Sequence, residues 1–181
     1  MKEDALKWDK KYKQDLMPTT PSDFLINFVQ ILPVGRVLDI ACGNGRNTKF
    51  LAQKGFVCEC VDISQVGLLS LKNIKNTIPI CCDLDNYEIK TLAYDVILNF
   101  YFLDRRLFEG ISKGLKCGGV LLMETFIEDK DFPTDIAAQK ILQKGELEKA
   151  FHDFEILHKQ EKIICRNQQK AKVIEFAVRK S

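Results

Sequence analysis

The stretch Val37-Leu38-Asp39-Ile40-Ala41-Cys42-Gly43-Asn44-Gly45-Arg46-Asn47, followed by Val57-Cys58-Glu59-Cys60-Val61-Asp62, decides the fold. An apolar run ends in a carboxylate and a glycine-rich turn, a helix follows, and a second apolar run ends in another carboxylate. In a doubly wound sheet, that second acid falls where a ribose is hydrogen-bonded. The pattern reads as a nucleoside-cofactor site. Gly43 and Gly45 let the backbone take positive φ and approach a ligand that a Cβ would push away. A helix from about Asn47 to Lys54 points its free N–H groups into the same crevice. Asp62 offers two acceptor oxygens to a pair of hydroxyls. Asp39 suits an ammonium, or the ordering of the turn, and would repel a phosphate.

The series Gly43-x-Gly45-x-x-Thr48 lacks the third glycine of a dinucleotide fingerprint, and no Gly-x-x-x-x-Gly-Lys-Ser/Thr loop occurs. Pyrophosphate binding is therefore disfavoured. A glycine-rich turn alone is also compatible with a tight strand-to-helix connection that binds nothing. Asp62, placed after a strand, weighs against that alternative.

Length and composition agree with one compact enzyme domain. At 181 residues and 46% hydrophobic content the chain can bury a substantial core, so residues 1–181 are expected to form a single domain. The formal charge of +2 creates too weak a field for a dedicated nucleic-acid binder. The cluster Lys2, Lys7, Lys10, Lys11 and Lys13 reads as a solvated helix face. With no signal-peptide core and no run near the about 18 apolar residues of a membrane span, a cytoplasmic protein is expected. The seven cysteines are an odd number. Cys58 and Cys60 stand two apart in a strand and Cys81 adjoins Cys82, poor geometry for a disulfide framework. Strand alternation sends Cys81 and Cys82 to opposite faces, against a four-ligand metal site, so reduced thiols and no metal are expected.

Along the chain, helices and strands alternate, which implies a mostly parallel sheet covered on both faces. Thr20-Pro21-Ser22-Asp23 places a capping hydroxyl, a first-turn proline and an acid before Phe24, Leu25, Phe28, Val29 and Leu32. Ser64 caps a helix carrying Val66, Leu69 and Asn73, and Pro79 marks a third strand. Tyr94–Leu98 is a fourth strand, a helix runs roughly from Asp104 to Lys116, and Gly118-Gly119 leads into Val120–Glu124 as a fifth. After a loop through Pro133 and a helix ending near Phe151, Phe154–Cys165 and Lys172–Arg179 form a hairpin around Asn167-Gln168-Gln169-Lys170.

These residues resemble a known family. Asp39-Ile40-Ala41-Cys42-Gly43-Asn44-Gly45 is similar to the first motif of class I S-adenosylmethionine-dependent methyltransferases, Val61-Asp62-Ile63-Ser64 to their acidic second motif, and Cys82-Asp83-Leu84 to the third. Gly45-Arg46-Asn47, Trp8-Asp9-Lys10-Lys11-Tyr12, Lys144-Gly145-Glu146-Leu147 and Phe176-Ala177-Val178-Arg179-Lys180 are most similar to the tellurite-resistance type of small-molecule methyltransferase.

The resemblance implies an α/β, doubly wound, Rossmann-like sheet of seven strands in the order 3-2-1-4-5-7-6 with strand 7 antiparallel. It also implies S-adenosylmethionine as methyl donor and S-adenosylhomocysteine as product. Asp39, Ala41, Cys42, Gly43, Gly45 and Asn47 then belong to the amino-acid end of the cofactor site and Asp62 to its ribose. Asp83 accepts the adenine amine and Ile63 and Leu84 sandwich the ring, while Asn99 and Tyr101 stand beside the methionine moiety. A turn cap is the local alternative for Asp83. Residues 1–20 form a lid segment in which Trp8 and Tyr12, at i and i+4, share a face; a plain packing stripe is the alternative.

The acceptor side is drawn from Arg46, Tyr101, Arg105, Arg106, Glu124, His152 and Arg166, with Arg46, Tyr101 and Arg166 as the catalytic candidates. Arg46 and Arg166 offer bidentate donors to an oxyanion. Arg105 and Arg106 begin a helix as solvent-exposed residues, and His152 near a helix end reads as structural. Where tellurite-type members tend to have a His-Arg pair this chain has Cys165-Arg166, and Glu175 replaces another late arginine, an acid that would repel tellurite. A thiol or selenide acceptor thus stays open beside a chalcogen oxyanion. Nucleic-acid or protein methylation is the competing enzyme reading, although Asn99-Phe100-Tyr101-Phe102 lacks the prolines of a base-amine methylating turn. A cofactor-binding regulatory module is the non-enzyme reading.

Overall fold

A computed structural model of the chain describes residues 2–14, 16–166 and 169–181. Its strands are β1 (Arg36–Ile40), β2 (Val57–Asp62), β3 (Thr77–Cys81), β4 (Tyr94–Phe100), β5 (Leu115–Phe126), β6 (Glu155–Arg166) and β7 (Gln169–Arg179). The helices are α1 (Lys2–Lys13), α2 (Asp23–Phe28), α3 (Arg46–Gln53), α4 (Gln65–Leu69), α5 (Leu107–Gly114) and α6 (Glu146–Ala150). The strands form one sheet in the order β3-β2-β1-β4-β5-β7-β6. The first five are parallel, and β7 runs antiparallel to both β5 and β6. This is the seven-stranded topology that the motifs imply.

The central strands are apolar along nearly their whole length because helices cover both faces. Period-2 alternation still sorts the side chains. Leu38, Ile40, Ile97, Leu121 and Met123 pack with Ile111 of α5 and with Phe151 and Phe154. Val37, Val96, Leu98, Leu122, Cys58 and Cys60 pack with Phe24 and Leu25 of α2 and Leu51 of α3. Cys58 and Cys60 are thus small core residues on one side of β2, and all seven cysteines are free thiols. Among the described residues no helix is long and apolar enough to cross a membrane.

Local chemistry moves several element boundaries. The cap of α2 is Ser22, whose hydroxyl accepts from the Phe24 N–H, so Pro21 lies ahead of the helix instead of in its first turn. Ser64 caps α4 as expected, accepting from Gly67 N, but the helix ends at Leu69 and Asn73 sits in a turn at φ 66°. A left-handed residue there cannot continue a right-handed helix. The final hairpin pairs through Arg166 and Gln169, so the strands run closer to its tip than the four-residue turn foresaw; Asn167 and Gln168 lie outside the described residues.

Candidate active site

The site grows from the carboxyl edge of β1, β2 and β4. After β1 the backbone turns left-handed at Ala41, Gly43 and Gly45, with φ of 53°, 60° and 65°. Gly45 N closes this turn onto Cys42 O at 2.9 Å and begins α3. Asp62, at the end of β2, accepts from Gly43 N and from Ser64 N, both at 2.7 Å. One carboxylate therefore ties together the loops after β1 and β2. Burial pushes the Asp62 carboxyl up, and these two N–H donors oppose the shift.

Asp39 is 2% exposed and accepts from Thr48 Oγ1 at 2.6 Å. Desolvation pushes its pKa up to about 7 against the pull of Thr48 and of the Arg46 charge. A buried acid poised so near neutrality is stabilised by any cation placed against it.

Two adjoining compartments of about 340 and 350 Å³ open along this edge, each the size of a small-molecule subsite. Asp62, Ile63, Asp83 and Leu84 line the first, together with Trp8 of α1 and Asp104 and Arg106 ahead of α5. Asp39, Cys42, Asn44, Arg46 and Asn47 line the second, facing Ile164 and Cys165 of β6. Tyr12, Met17, Ala41, Phe100 and Tyr101 line both. The wall between the compartments is thus the loop after β1, the end of β4 and the N-terminal segment.

α1 closes the edge from above. Asp9 accepts from Ser64 Oγ at 2.6 Å and from Val66 N at 3.1 Å, docking α1 on the start of α4. The Trp8 and Tyr12 rings lie 6.4 Å apart, centroid to centroid. The Tyr12 hydroxyl sits so close over Gly43 that a Cβ there would overlap it and lie 3.0 Å from the ring carbon that bears it. Burial, reinforced by the Asp62 charge, pushes the Tyr12 phenol up. Gly45 is tight for another reason, since a Cβ there would strike the Leu71 side chain.

Other residues singled out in the sequence divide between the compartment linings and the structure around them. Asn47 is buried and its Oδ1 accepts from Ser22 N at 3.0 Å, which anchors the loop before α2. Asn99, paired on β4 between Ile40 and Met123, is fully buried and lines neither compartment, and its amide nitrogen and oxygen find no partner among the described residues. Asp83 lines the first compartment and also accepts from Asp85 N at 3.1 Å, the local turn cap. Arg46 donates from Nη1 to Thr20 O at 3.0 Å at the rim of the second compartment. Arg105 is occupied by Glu146 and by the carbonyls of Gln139 and Ile141, a structural clamp. Arg106 pairs with Asp104 and Asp85. His152 is exposed. Arg166 closes β6, but its side chain lies outside the described residues.

Behind Tyr101 stands a polar cluster that sequence reading did not assemble. Tyr101, left-handed at φ 58°, donates from its hydroxyl to Glu124 Oε1 at 2.6 Å. Ser22 Oγ donates to Glu124 Oε2 at 2.6 Å, and Lys162 Nζ lies 3.4 Å from Oε1. Glu175, opposite Glu124 in the β5–β7 register, pairs with Lys162 and with His158. Glu175 is therefore neutralised by β6 and does not line either compartment. Ser22, Glu124, His158, Lys162 and Glu175 come from four separate chain segments, and no motif spacing connects them.

The strand order, the antiparallel seventh strand and a glycine turn held by an acid define the class I S-adenosylmethionine-dependent methyltransferase fold. Within it, the chain belongs to the tellurite resistance protein TehB family, whose model matches residues 2–174. Hemagglutinin 1 of Eikenella corrodens is 26% identical over 168 residues, covering 87% of this chain and 56% of that protein. The probable S-adenosyl-L-methionine-dependent methyltransferase TehB of Haemophilus influenzae is 25% identical over 151 residues, 74% of this chain and 50% of that one. The chain thus spans about half the length of the curated relatives it matches. The crystal structure of TehB from Haemophilus influenzae superposes with a TM-score of 0.78 at 22% identity, covering 97% of this chain and 67% of that one.

Proposed function

We propose that this chain transfers the methyl group of S-adenosylmethionine to a small-molecule acceptor, a thiol or a chalcogen oxyanion, by in-line displacement. The observation that carries the reading is the pair of compartments meeting at Ala41, Phe100 and Tyr101. The first has the residues for an adenosyl group: Asp62 at the sugar, Asp83 at the adenine amine, and Ile63 and Leu84 against the ring. Asp39 and the Gly43 turn suit the amino-acid tail. The bound sulfonium supplies an activated methyl group. The chain's own task is to align the acceptor with it and to exclude water, and orientation can supply up to about 7–11 kcal/mol of the barrier reduction. Residues 1–20 act as a lid, with Trp8 and Tyr12 sealing the crevice while Asp9 holds α1 down.

Isothermal titration of S-adenosylhomocysteine into wild type and Asp62→Ala tests the cofactor half. Loss of the two hydrogen bonds that hold Gly43 and Ser64, together with the ribose contact, is expected to weaken binding at least about tenfold, roughly 1.4 kcal/mol. Equal affinity removes Asp62 from the ribose site. Labelled methyl transfer to selenite, tellurite and 2-mercaptoethanol tests the other half. Tight cofactor binding without turnover of any acceptor, including nucleic acid and protein, favours a regulatory module instead.

A further inference from the structure

The walls of the second compartment differ in how they are held. The turn after β1, the end of β4 and the end of β6 are fixed by the sheet. On the remaining side, next to Tyr12 of α1, the compartment is closed by Met17 and Pro18, and residues 17–20 are neither helix nor strand. Pro18, Thr19 and Thr20 are exposed and Met17 is half-buried.

What fastens this segment comes from the turn beneath it. Asn44 Nδ2 donates to Pro18 O at 2.9 Å and Arg46 Nη1 donates to Thr20 O at 3.0 Å, both in exposed positions. Two residues further on the footing changes. Ser22 is 7% exposed; its N–H donates to Asn47 Oδ1 at 3.0 Å, its hydroxyl donates to Glu124 Oε2 at 2.6 Å, and it caps α2. At the other end, α1 is docked independently through Asp9 on Ser64 and Val66. The segment therefore has a buried anchor at Ser22 and a solvent-facing fastening at Pro18 and Thr20. A stretch with exposed hydrogen bonds and little buried surface opens at far lower cost than the core around it. Each such bond changes an open-to-closed ratio by roughly three- to tenfold.

We infer that residues 17–20 are a gate over the compartment that receives the methyl acceptor, and that Asn44 and Arg46 are the clasp that keeps it shut. The inference deepens the methyl-transfer reading and rests on it for the identity of the occupant. Arg46 is then a positioning residue, acting through Thr20 with one donor and not as a bidentate ligand of the acceptor. Opening about Ser22 moves Met17 and Pro18 aside and admits the acceptor; closing restores the wall and keeps water from the reacting groups. The clasp side chains stand on the same turn as Gly43, whose N–H is held by Asp62, so the gate and the donor site share one piece of backbone.

Cys42 reports on the gate, because it lines the same compartment and is a free thiol. Burial pushes this thiol up, so it reacts slowly and all variants are compared at one pH. The ligand-free full chain is treated with iodoacetamide or with the bulkier fluorescein maleimide, as stand-ins for an entering acceptor, and labelling of each cysteine is followed by mass spectrometry. Exposed Cys117 and buried Cys58 and Cys60 are internal standards. Asn44→Ala and Arg46→Ala are each expected to raise the Cys42 rate by roughly three- to tenfold, with the larger gain for the bulkier reagent and no change at Cys58, Cys60 or Cys117. Arg46→Lys is expected to label as wild type, since one ammonium donor suffices for the clasp. Pro18→Gly, which leaves the turn intact and loosens the segment, is expected to reproduce the rise. An unchanged Cys42 rate in both alanine variants overturns the gate, and so does a rise that Pro18→Gly does not share. A rise that Arg46→Lys fails to reverse overturns the assignment of Arg46. Labelling of Cys58 and Cys60 marks an unfolded variant, and Pro18→Gly alone then decides. Wild type that does not bind S-adenosylhomocysteine overturns the methyl-transfer reading and the acceptor gate with it, whereas binding with unchanged Cys42 rates overturns the gate alone.

Discussion

Gly43→Ala is expected to lift α1 off the crevice. The residue sits at φ 60°, where a side chain with a Cβ costs roughly 1–2 kcal/mol, and the new methyl would overlap the Tyr12 hydroxyl. Its distance to the carbon bearing that hydroxyl would be 3.0 Å, already tighter than ordinary contact. Overpacking of this kind costs about 1–3 kcal/mol, so the total is roughly 2–5 kcal/mol unless α1 moves. Movement is the cheaper response, because α1 is docked through Asp9 and its aromatic pair and not through a sheet. Trp8 is the chain's single tryptophan and lies on α1, with Lys11 Nζ 4.4 Å from its ring centre. Its emission is therefore expected to shift to the red, and affinity for S-adenosylhomocysteine to fall, in Gly43→Ala. Adding Tyr12→Phe removes the overlapping oxygen but keeps the backbone strain. In a double-mutant cycle followed by urea unfolding, the pair is expected to show a favourable coupling of about 1–3 kcal/mol. Unshifted Trp8 emission, or strictly additive losses, would refute the contact between Tyr12 and Gly43.

Two further outcomes follow from buried acids. Asp39 keeps its proton up to about pH 7 when folded, against an ordinary value of 3.8, so folding takes up a proton between these limits and stability falls as pH rises through them. Asp39→Asn removes the cost of ionisation and is expected to gain roughly 2–4 kcal/mol over the ligand-free wild type at about pH 8, with no gain below about pH 4; an equal gain in urea midpoint at both pH values contradicts the assignment. Glu59, 3% exposed, accepts from Tyr87 at 2.6 Å, Tyr94 at 2.9 Å and Lys90 and Arg36 at 3.1 Å. Burial pushes its carboxyl up, but the donors outweigh burial and hold it below the usual range. The stabilisation is present at neutral pH and lost as pH falls through that lowered value. Lys90 and Arg36 are about half exposed and re-solvate, so Glu59→Ala, which takes a partner from the buried Tyr94 hydroxyl, is expected to cost about 1–3 kcal/mol, and a thermal scan showing no loss contradicts the role.

The local code of this chain specifies the strand–turn–helix–strand unit around Gly43 and Asp62. Positive φ at Gly43 and Gly45 favours glycine, and an acid at a strand end can reach only what the parallel register sets beside it, so sequence position already fixes spatial position. The same logic carries Ile63, Asp83 and Leu84 to one compartment, since each follows directly from a strand whose place in the sheet is determined. Other features had no such constraint. Asn47 lines the second compartment and also anchors Ser22, and Arg105 at the helix start closes on Glu146, contacts between residues 25 and 41 positions apart that local pattern does not encode.

Only tertiary structure decided what stands behind Tyr101. Glu124 and Glu175 become neighbours because β5 and β7 pair antiparallel in that register, and Lys162 and His158 reach them because β6 pairs with β7. Hydrogen bonds between residues up to 102 positions apart, such as Ser22 to Glu124, leave no periodic trace in a sequence. A motif is legible when one backbone segment supplies all its geometry; a charge cluster shared by four segments exists only once the sheet has closed.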